Sequence, residues 1–134
     1  MKQKILLTGA SGAVGREALK QMVGDNGLEI TVFDLENSNT KKTLEPYKQK
    51  INIIYGDITN KANVEEACKN VDVVIHLAAI IPPLADEKPQ LAIEVNAQGT
   101  ANIIAGLEKH SPQSFLLYSS SVSVYGHVFC KSDE

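Results

Sequence analysis

The sequence has no tryptophan, few aromatic residues and only two cysteines among its 134 residues. Cys68 and Cys130 belong to no C-x-x-C pair and no Cys/His cluster, so no metal site is expected and a disulfide, although possible, has no support. This cysteine usage fits a reducing, cytoplasmic setting. No apolar run is long enough to span a bilayer, and the residues after Met1 do not form a signal peptide.

The sequence also lacks an excess of basic residues. The formal net charge is −3, and the lysines and arginines are scattered rather than clustered. Nucleic acid and anionic membranes are recognised through basic patches, so we expect neither as a partner. The length fits one domain, which can bury roughly two-thirds of its unfolded surface without disulfides or metals.

Short strand-like and helix-like segments alternate along the chain. Strands are predicted at residues 4–8, 29–34, 51–55, 71–77 and 115–119. Helices are predicted from near Gly12, after Thr59 or Asn60, and over residues 89–109. Residues 36–48 are polar without a clear period, so a short or irregular helix or a loop is expected there. This alternation predicts an α/β fold with a mainly parallel sheet.

A glycine-rich loop follows the first predicted strand. Residues 8–15 read T-G-A-S-G-A-V-G, and Gly9, Gly12 and Gly15 are spaced G-x-x-G-x-x-G rather than the general dinucleotide pattern G-x-G-x-x-G. A strand that runs through glycines into a helix can cradle a phosphate with backbone N–H groups. The alternative is a tight turn in which the glycines only supply positive φ.

An acidic residue ends the second predicted strand. Asp34 lies where a carboxylate can accept hydrogen bonds from the adenosine ribose of a dinucleotide, while repelling an added 2′-phosphate. The position therefore favours NAD over NADP. The alternative is an ordinary solvated acid at a turn.

Three further residues have both a structural and a functional interpretation. Cys68 lies on the apolar stripe of a predicted helix, which favours a core residue over a reactive thiol. His76 stands between apolar neighbours with no nearby acid, which favours a packed core residue over a catalytic one. Asn96 lies on the predicted inner face of the 89–109 helix, so it either ties adjacent backbone together or positions a ligand.

Several motifs in order resemble one family. They are T-G-A-S-G-A-V-G, the strand-end Asp34, G-D-I-T at 56–59, H-L-A-A at 76–79, N-x-x-G-T at 96–100 and Y-S-S-S-V-S-V-Y-G at 118–126. Together they resemble the extended short-chain dehydrogenase/reductase family, and within it the NAD-dependent epimerase/dehydratase group, which acts mostly on nucleotide sugars. The resemblance implies a Rossmann-like, doubly wound parallel sheet of order 3-2-1-4-5 over residues 1–126, followed by a tail at 127–134.

The resemblance also implies which residues form the site. The pyrophosphate of NAD would lie against the loop, the adenosine ribose against Asp34 and the adenine against Asp57 and Ile58. Ser121, four residues before the tyrosine of V-Y-G, would be the catalytic serine that hydrogen-bonds the reacting oxygen. The cofactor residues implied are Gly9, Ser11, Gly12, Ala13, Val14, Gly15, Asp34, Asp57, Ile58, Leu77, Ala78, Ala79 and Asn96.

The chain departs from the family pattern in one respect. Such enzymes use a tyrosine as general acid/base, with a lysine four residues later that lowers its pKa. None of the four tyrosines has a lysine at that spacing. We therefore expect the NAD-binding part of an enzyme, without the substrate-binding part and inactive by itself. A non-catalytic NAD-sensing module and one half of a split enzyme are the alternatives, and the exposed edge is expected to cause self-association.

Overall fold

The computed structural model describes residues 1–126, which form one parallel sheet covered by helices on both faces. The predicted tail at 127–134 lies outside the described residues. The strands are β1 (Gln3–Thr8), β2 (Leu28–Asp34), β3 (Asn52–Tyr55), β4 (Val73–His76) and β5 (Phe115–Tyr118). The helices are α1 (Ala13–Met22), α2 (Ser38–Leu44), α3 (Lys61–Ala67), α4 (Leu84–Glu87), α5 (Pro89–Ile93) and α6 (Gly99–His110), with a π-helical turn at Glu94–Gln98 and short 3₁₀ turns at Glu45–Tyr47 and Val122–Tyr125.

The sheet confirms the predicted order. Its strands run β3-β2-β1-β4-β5, and all four neighbouring pairs are parallel. The register places Leu7 of β1 between Val32 of β2 and Ile75 of β4. The chain therefore winds outward from β1 in one direction and then, from β4, in the other, as in a Rossmann-like fold. Such a reversal opens a crevice at the carboxyl ends of β1 and β4.

Two apolar cores lie on opposite faces of the sheet because successive side chains of a strand point to opposite sides. Leu6 of β1 packs in one core with Val64 of α3 and Ile103 of α6. Leu7 packs in the other core with Leu19 of α1 and Leu44 of α2. Both faces of β1 are thus buried, which accounts for the continuous apolar run at 5–7 in a central parallel strand.

Two features differ from the sequence expectations. The 89–109 helix is interrupted by the π-helical turn at Glu94–Gln98. Val14, Ala18 and Met22 recur at helical spacing, which predicts one buried face for all three, but Val14 is 67% exposed. The buried positions of α1 are instead Gly15 and Leu19, since the close approach of Gly15 to the loop sets which side of α1 faces the sheet. A short helix, α2, lies within the polar segment 36–48, which agrees with the expectation of a short or irregular helix or a loop there.

Candidate functional site

A cavity of about 260 Å³ lies at the carboxyl edge of the sheet. It opens at the point where the strand order reverses, which is the usual ligand position in open α/β sheets. Its walls come from the glycine loop, the end of β2, the turn after β3 and the segment after β4. The lining residues are Gly9, Ser11, Gly12, Phe33, Asp34, Leu35, Asn37, Gly56, Asp57, Ile58, Leu77, Ala78, Ala79, Ile80 and Val95.

The three loop glycines have different structural causes. Gly9 has a φ of +72°, and a Cβ there would lie 2.6 Å from the backbone nitrogen of Ala78. A Cβ at Gly15 would lie 2.1 Å from the carbonyl oxygen of Gly9, so α1 can pack against the loop only through glycine. Positive φ therefore explains Gly9 alone, and close backbone approach explains Gly9 and Gly15. The turn hypothesis accounts for only part of the motif.

Gly12 also lines the cavity, but no neighbouring atom prevents a side chain at this position. It precedes α1 with a φ of −74°, and its amide donates a 3.1 Å hydrogen bond to the carbonyl oxygen of Gly9. A Cβ at Gly12 would meet only that oxygen, at the ordinary distance of 3.4 Å. Glycine also has no side chain that could cap the first N–H groups of α1, so these groups suit an anionic ligand.

Asp34 joins the end of β2 to the glycine loop. Its Oδ2 accepts a 2.9 Å hydrogen bond from the backbone N–H of Ser11, and its Oδ1 accepts one of 2.9 Å from the N–H of Leu35. Each carboxylate oxygen has a second lone pair, so Asp34 can accept further hydrogen bonds from two hydroxyl groups while it holds the loop.

The turn after β3 forms another wall of the cavity. Oδ1 of Asp57 accepts hydrogen bonds from the backbone N–H of Thr59, at 2.8 Å, and from its hydroxyl, at 2.7 Å. Ile58 contacts the cavity but is otherwise buried against α6, where a Cβ at Gly99 would lie 2.8 Å from it. The side chain of Asn60 caps α3, so Asn60 rather than Thr59 is the N-cap of this helix.

Asn96 fixes the segment that follows β4. Its Oδ1 accepts a 2.7 Å hydrogen bond from the N–H of Ile80, and its Nδ2 donates one of 2.8 Å to the carbonyl oxygen of Ile80. Asn96 is half-buried rather than buried. It does not line the cavity, so the structure favours the first interpretation of this residue, which ties two backbone segments together.

Four polar residues of the region are not among the predicted cofactor residues. Thr8, His76 and Thr100 form a hydrogen-bonded row. Asn102 of α6 is buried and donates hydrogen bonds of 3.0 and 3.3 Å to the carbonyl oxygens of Ile58 and Thr59. A buried asparagine on a helix predicts a backbone partner but not which loop supplies it, so only the structure identifies these contacts.

Ser121 lies beyond the end of β5. It begins the 3₁₀ turn at Val122–Tyr125, where its Oγ accepts a 3.2 Å hydrogen bond from the N–H of Ser123 and lies 3.1 Å from that residue's hydroxyl. Ser121 does not line the cavity. Its assignment as a catalytic residue stays a prediction.

The structure thus brings together most of the predicted cofactor residues, from four separate parts of the chain. Those that line the cavity are Gly9, Ser11, Gly12, Asp34, Asp57, Ile58, Leu77, Ala78 and Ala79. Ala13, Val14, Gly15 and Asn96 lie outside the lining, the first three in α1 and Asn96 in the π-helical turn.

Comparison with protein families identifies the family of the chain. The model of the 3-beta hydroxysteroid dehydrogenase/isomerase family matches residues 6–133. The chain belongs to this family. The predicted relation to the extended short-chain dehydrogenase/reductases and their epimerase/dehydratase group is confirmed. The family name refers to hydroxysteroids, whereas the sequence resemblance had indicated nucleotide sugars.

The relatives that this chain matches are longer than the chain itself. It is 30% identical to mouse 3 beta-hydroxysteroid dehydrogenase type 7, over 96% of this chain and 37% of that protein. It is 32% identical to a Methanocaldococcus jannaschii protein named as an uncharacterized membrane protein, over 90% of this chain and 37% of that one. Both matches show that the chain spans a little over a third of the curated relatives.

A solved structure supports both the fold and the type of cofactor found in the family. A short-chain dehydrogenase/reductase superfamily protein from Agrobacterium tumefaciens, with bound NAD, aligns with a TM-score of 0.72 and 25% identity over 92% of this chain and 34% of that one. Within residues 1–126 no helix is both long and apolar enough to cross a membrane.

Proposed function

We propose that this chain is the NAD-binding part of an enzyme that transfers hydride between NAD and a hydroxyl or carbonyl group of a small substrate. The observation that carries the proposal is the cavity lined by both Gly12 and Asp34. The N–H groups of the first turn of α1, which no side chain caps, suit a pyrophosphate, and the carboxylate suits the two ribose hydroxyls. The negative charge of Asp34 disfavours the 2′-phosphate of NADP, so NAD is the expected cofactor.

Each site residue has a proposed role in cofactor binding. The backbone at Ala13 and Val14 supplies N–H groups, since α1 begins there without a side-chain cap, whereas the N–H of Ser11 is held by Asp34. Ala78 and Ala79 bring small residues and backbone against the inner half of the dinucleotide. Bound NAD would supply the hydride acceptor or donor. Ser121 would hydrogen-bond the reacting oxygen of the substrate.

The chain by itself is proposed to bind NAD without turnover. The family pattern of a tyrosine followed four residues later by a lysine does not occur in these 134 residues. Without that pair, no general acid/base is available to move the hydroxyl proton during hydride transfer. A nucleotide sugar is the proposed substrate class, and a hydroxysteroid is the second candidate because the family model carries that name.

We also propose that the chain associates with a second copy of itself and that its location is cytoplasmic. Large apolar side chains are exposed on and beyond β5, including Phe115, Val122 and Tyr125 at 63%, 83% and 80%. Among the described residues β5 pairs only with β4, which leaves one strand edge open. Such surfaces favour association with a second copy. A cytoplasmic location remains the prediction from cysteine usage.

The first experiment is calorimetric titration of the wild-type chain and two alanine variants with NAD and NADP. Gly12→Ala adds a methyl group at the cavity wall without a backbone clash, so it is expected to fold normally and to weaken NAD binding by about tenfold or more. Gly24→Ala is the matched control, because its Cβ would meet nothing closer than the carbonyl oxygen of Gln21 at 4.0 Å.

The expected result is binding of NAD in preference to NADP, with Gly24→Ala unchanged. Absence of NAD binding by the wild-type chain, or unaltered affinity in Gly12→Ala, would contradict the proposed site. Turnover is measured in parallel by NADH absorbance, with a UDP-sugar and with a 3-hydroxysteroid. Clear turnover of either compound would show that the chain is active alone.

A further inference from the structure

His76 is buried at the end of β4, directly before the cavity-lining residues Leu77 and Ala78. It is 1% exposed, and both ring nitrogens have hydrogen-bond partners. Nδ1 lies 2.7 Å from the hydroxyl of Thr8 on β1, and Nε2 lies 2.9 Å from the hydroxyl of Thr100 on α6. We call Thr8, His76 and Thr100 the His76 network.

The α6 end of the His76 network determines which ring nitrogen carries the proton. The hydroxyl of Thr100 donates a 2.7 Å hydrogen bond to the carbonyl oxygen of Asn96, so its single proton is already used. Thr100 can then only accept from His76, and Nε2 must be the protonated nitrogen. Nδ1 is left as an acceptor, to which Thr8 donates.

The β1 end of the network contacts the cavity wall. The Thr8 hydroxyl oxygen accepts hydrogen bonds from the backbone N–H groups of Leu77, at 3.2 Å, and Ala78, at 3.1 Å. Both residues line the cavity. With its proton donated to His76 and both lone pairs occupied, Thr8 is fully satisfied.

No other protonation state of His76 satisfies this arrangement. A proton on Nδ1 would give the Thr8 oxygen a third N–H donor, and the Thr8 proton would lose its acceptor. The amide of Ala78 would then compete with the ring for the same oxygen, whereas the amide of Leu77 also lies 3.3 Å from the carbonyl oxygen of Thr8. Only the neutral Nε2–H imidazole leaves every donor and acceptor of the network paired.

We propose that His76 is a positioning residue for the cofactor: its neutral Nε2–H form orients the Thr8 hydroxyl, which in turn fixes the Leu77–Ala78 backbone at the cavity wall. This inference rests on the proposed function, because the ligand of that wall is taken to be NAD. It assigns the histidine of the H-L-A-A motif a role beyond core packing, although it touches no ligand itself.

The surroundings of His76 favour its neutral form. The groups that face the ring are Thr8 from β1, Thr100 from α6 and the Tyr118 ring from β5, whose centroid lies 5.6 Å away. None of these is an ionised group, and within residues 1–126 the ring has no carboxylate partner. Burial lowers the pKa of His76 below its ordinary value. The His76 network is therefore expected to break only when acid protonates the ring.

Two variants separate positioning from folding. Thr100→Val removes the acceptor of Nε2–H but leaves His76 and Thr8 in place, and it is expected to weaken NAD binding by about fivefold. Thr31→Val is the matched control, because Thr31 is also half-buried but lies in β2 away from His76. His76→Gln is the variant without a titrating ring, used if circular dichroism shows that it folds.

The measurements are NAD affinity from pH 5.5 to 7.5, the ring ¹⁵N shifts of His76, and amide hydrogen exchange of Leu77 and Ala78. The wild-type chain is expected to show the Nε2–H tautomer at pH 7.5 and an NAD affinity that falls only where the ¹⁵N shifts show that acid protonates the ring. Thr100→Val is expected to exchange both amides faster than Thr31→Val. His76→Gln is expected to bind NAD with little pH dependence.

The outcomes distinguish this inference from the proposed function. If the wild-type chain binds NAD but Thr100→Val matches Thr31→Val in affinity and amide exchange, His76 is not a positioning residue and the proposed function stands. An Nδ1–H or charged ring at pH 7.5 would also overturn the inference. If the wild-type chain does not bind NAD, the proposed function fails. Amide exchange is then the separate test of His76: equal exchange of Leu77 and Ala78 in Thr100→Val and Thr31→Val would show that the ring does not fix this backbone.

Discussion

The backbone N–H of Ser11 donates a 2.9 Å hydrogen bond to Oδ2 of Asp34, which links the glycine loop directly to the end of β2. The carboxylate predicted to bind a ribose is therefore also a structural support for the loop that would bind the pyrophosphate. The two parts of the candidate site are coupled through one side chain.

Replacement of Asp34 should consequently alter both stability and cofactor choice. Asp34→Asn removes the charge and places an N–H₂ group opposite one of two backbone donors, so we expect the free energy of unfolding to fall by about 1–2 kcal/mol. NAD affinity should fall by about tenfold and NADP affinity by less, because the repulsion of the 2′-phosphate is lost. Urea denaturation and calorimetry measure the two effects.

Asp25→Asn is the control for the Asp34 variant. Asp25 also accepts a backbone hydrogen bond, from Gly27 at 2.7 Å, but it lies in the turn between α1 and β2. Its replacement should leave NAD affinity unchanged. An Asp34→Asn chain with an unaltered ratio of NAD to NADP affinity would contradict the ribose assignment.

Gly106 and Cys68 should be energetically coupled across the contact between α6 and α3. A Cβ at Gly106 would lie 3.0 Å from Sγ and 3.2 Å from Cβ of Cys68. We expect Gly106→Ala to lower the free energy of unfolding by about 1 kcal/mol less in a Cys68→Ala chain than in the wild-type chain, because the sulfur no longer obstructs the added methyl group. A double-mutant cycle by urea denaturation measures this coupling, and Gly24→Ala combined with Cys68→Ala should show none.

Thr40 presents a buried hydroxyl that can be removed at a gain in stability. Its Oγ1 has no hydrogen-bond partner within residues 1–126, whereas its backbone N–H is capped by Asn37 at 2.9 Å. Thr40→Val retains the shape and the cap, so the free energy of unfolding should rise by about 1 kcal/mol. Thr8→Val, which removes a fully hydrogen-bonded hydroxyl, should lower it. Equal losses in both variants would refute this explanation.

The thiol of Cys68 should be inert in the folded protein. Burial, together with the negative charge of Glu65, raises its pKa to about 11. In a Cys130→Ser chain at pH 8, alkylation by iodoacetamide should be about 100-fold slower than for an ordinary exposed thiol, because the thiolate is the reactive form. Alkylation should become fast in denaturing urea. Rapid labelling under native conditions would show that Cys68 is accessible.

Self-association should depend on the edge of β5 that has no strand partner among residues 1–126. Leu117 of β5 is 46% exposed, and Tyr55 of β3, at the opposite edge, is 37% exposed. Light scattering should show a mass that rises with concentration, and Leu117→Lys should reduce it by adding a charge at the edge. Tyr55→Lys is the control for the other edge. A stable monomer at high concentration, or an equal effect of both changes, would count against association through β5.

The sequence determined the fold class and most of the cavity wall. Short apolar and β-branched runs placed the strands, and helical periodicity placed the helices. Short motifs at strand ends identified Gly12, Asp34 and Ala78, because carboxyl ends of parallel strands share one edge of the sheet. It did not determine that Val14 faces outward, since the rotation of α1 depends on the contact of Gly15 with the loop. Local periodicity carries no information on which face a neighbouring element will cover.

Only the tertiary structure decided the polar network that adjoins the site. Thr8 and His76 are 68 residues apart in sequence, and Thr100 belongs to a third element, so no local pattern indicates that they share hydrogen bonds. The same holds for Ser11 and Asp34. A hydrogen bond requires its two atoms to come within about 3 Å of each other, and for residues this distant in sequence that distance is set by strand order, register and helix packing together.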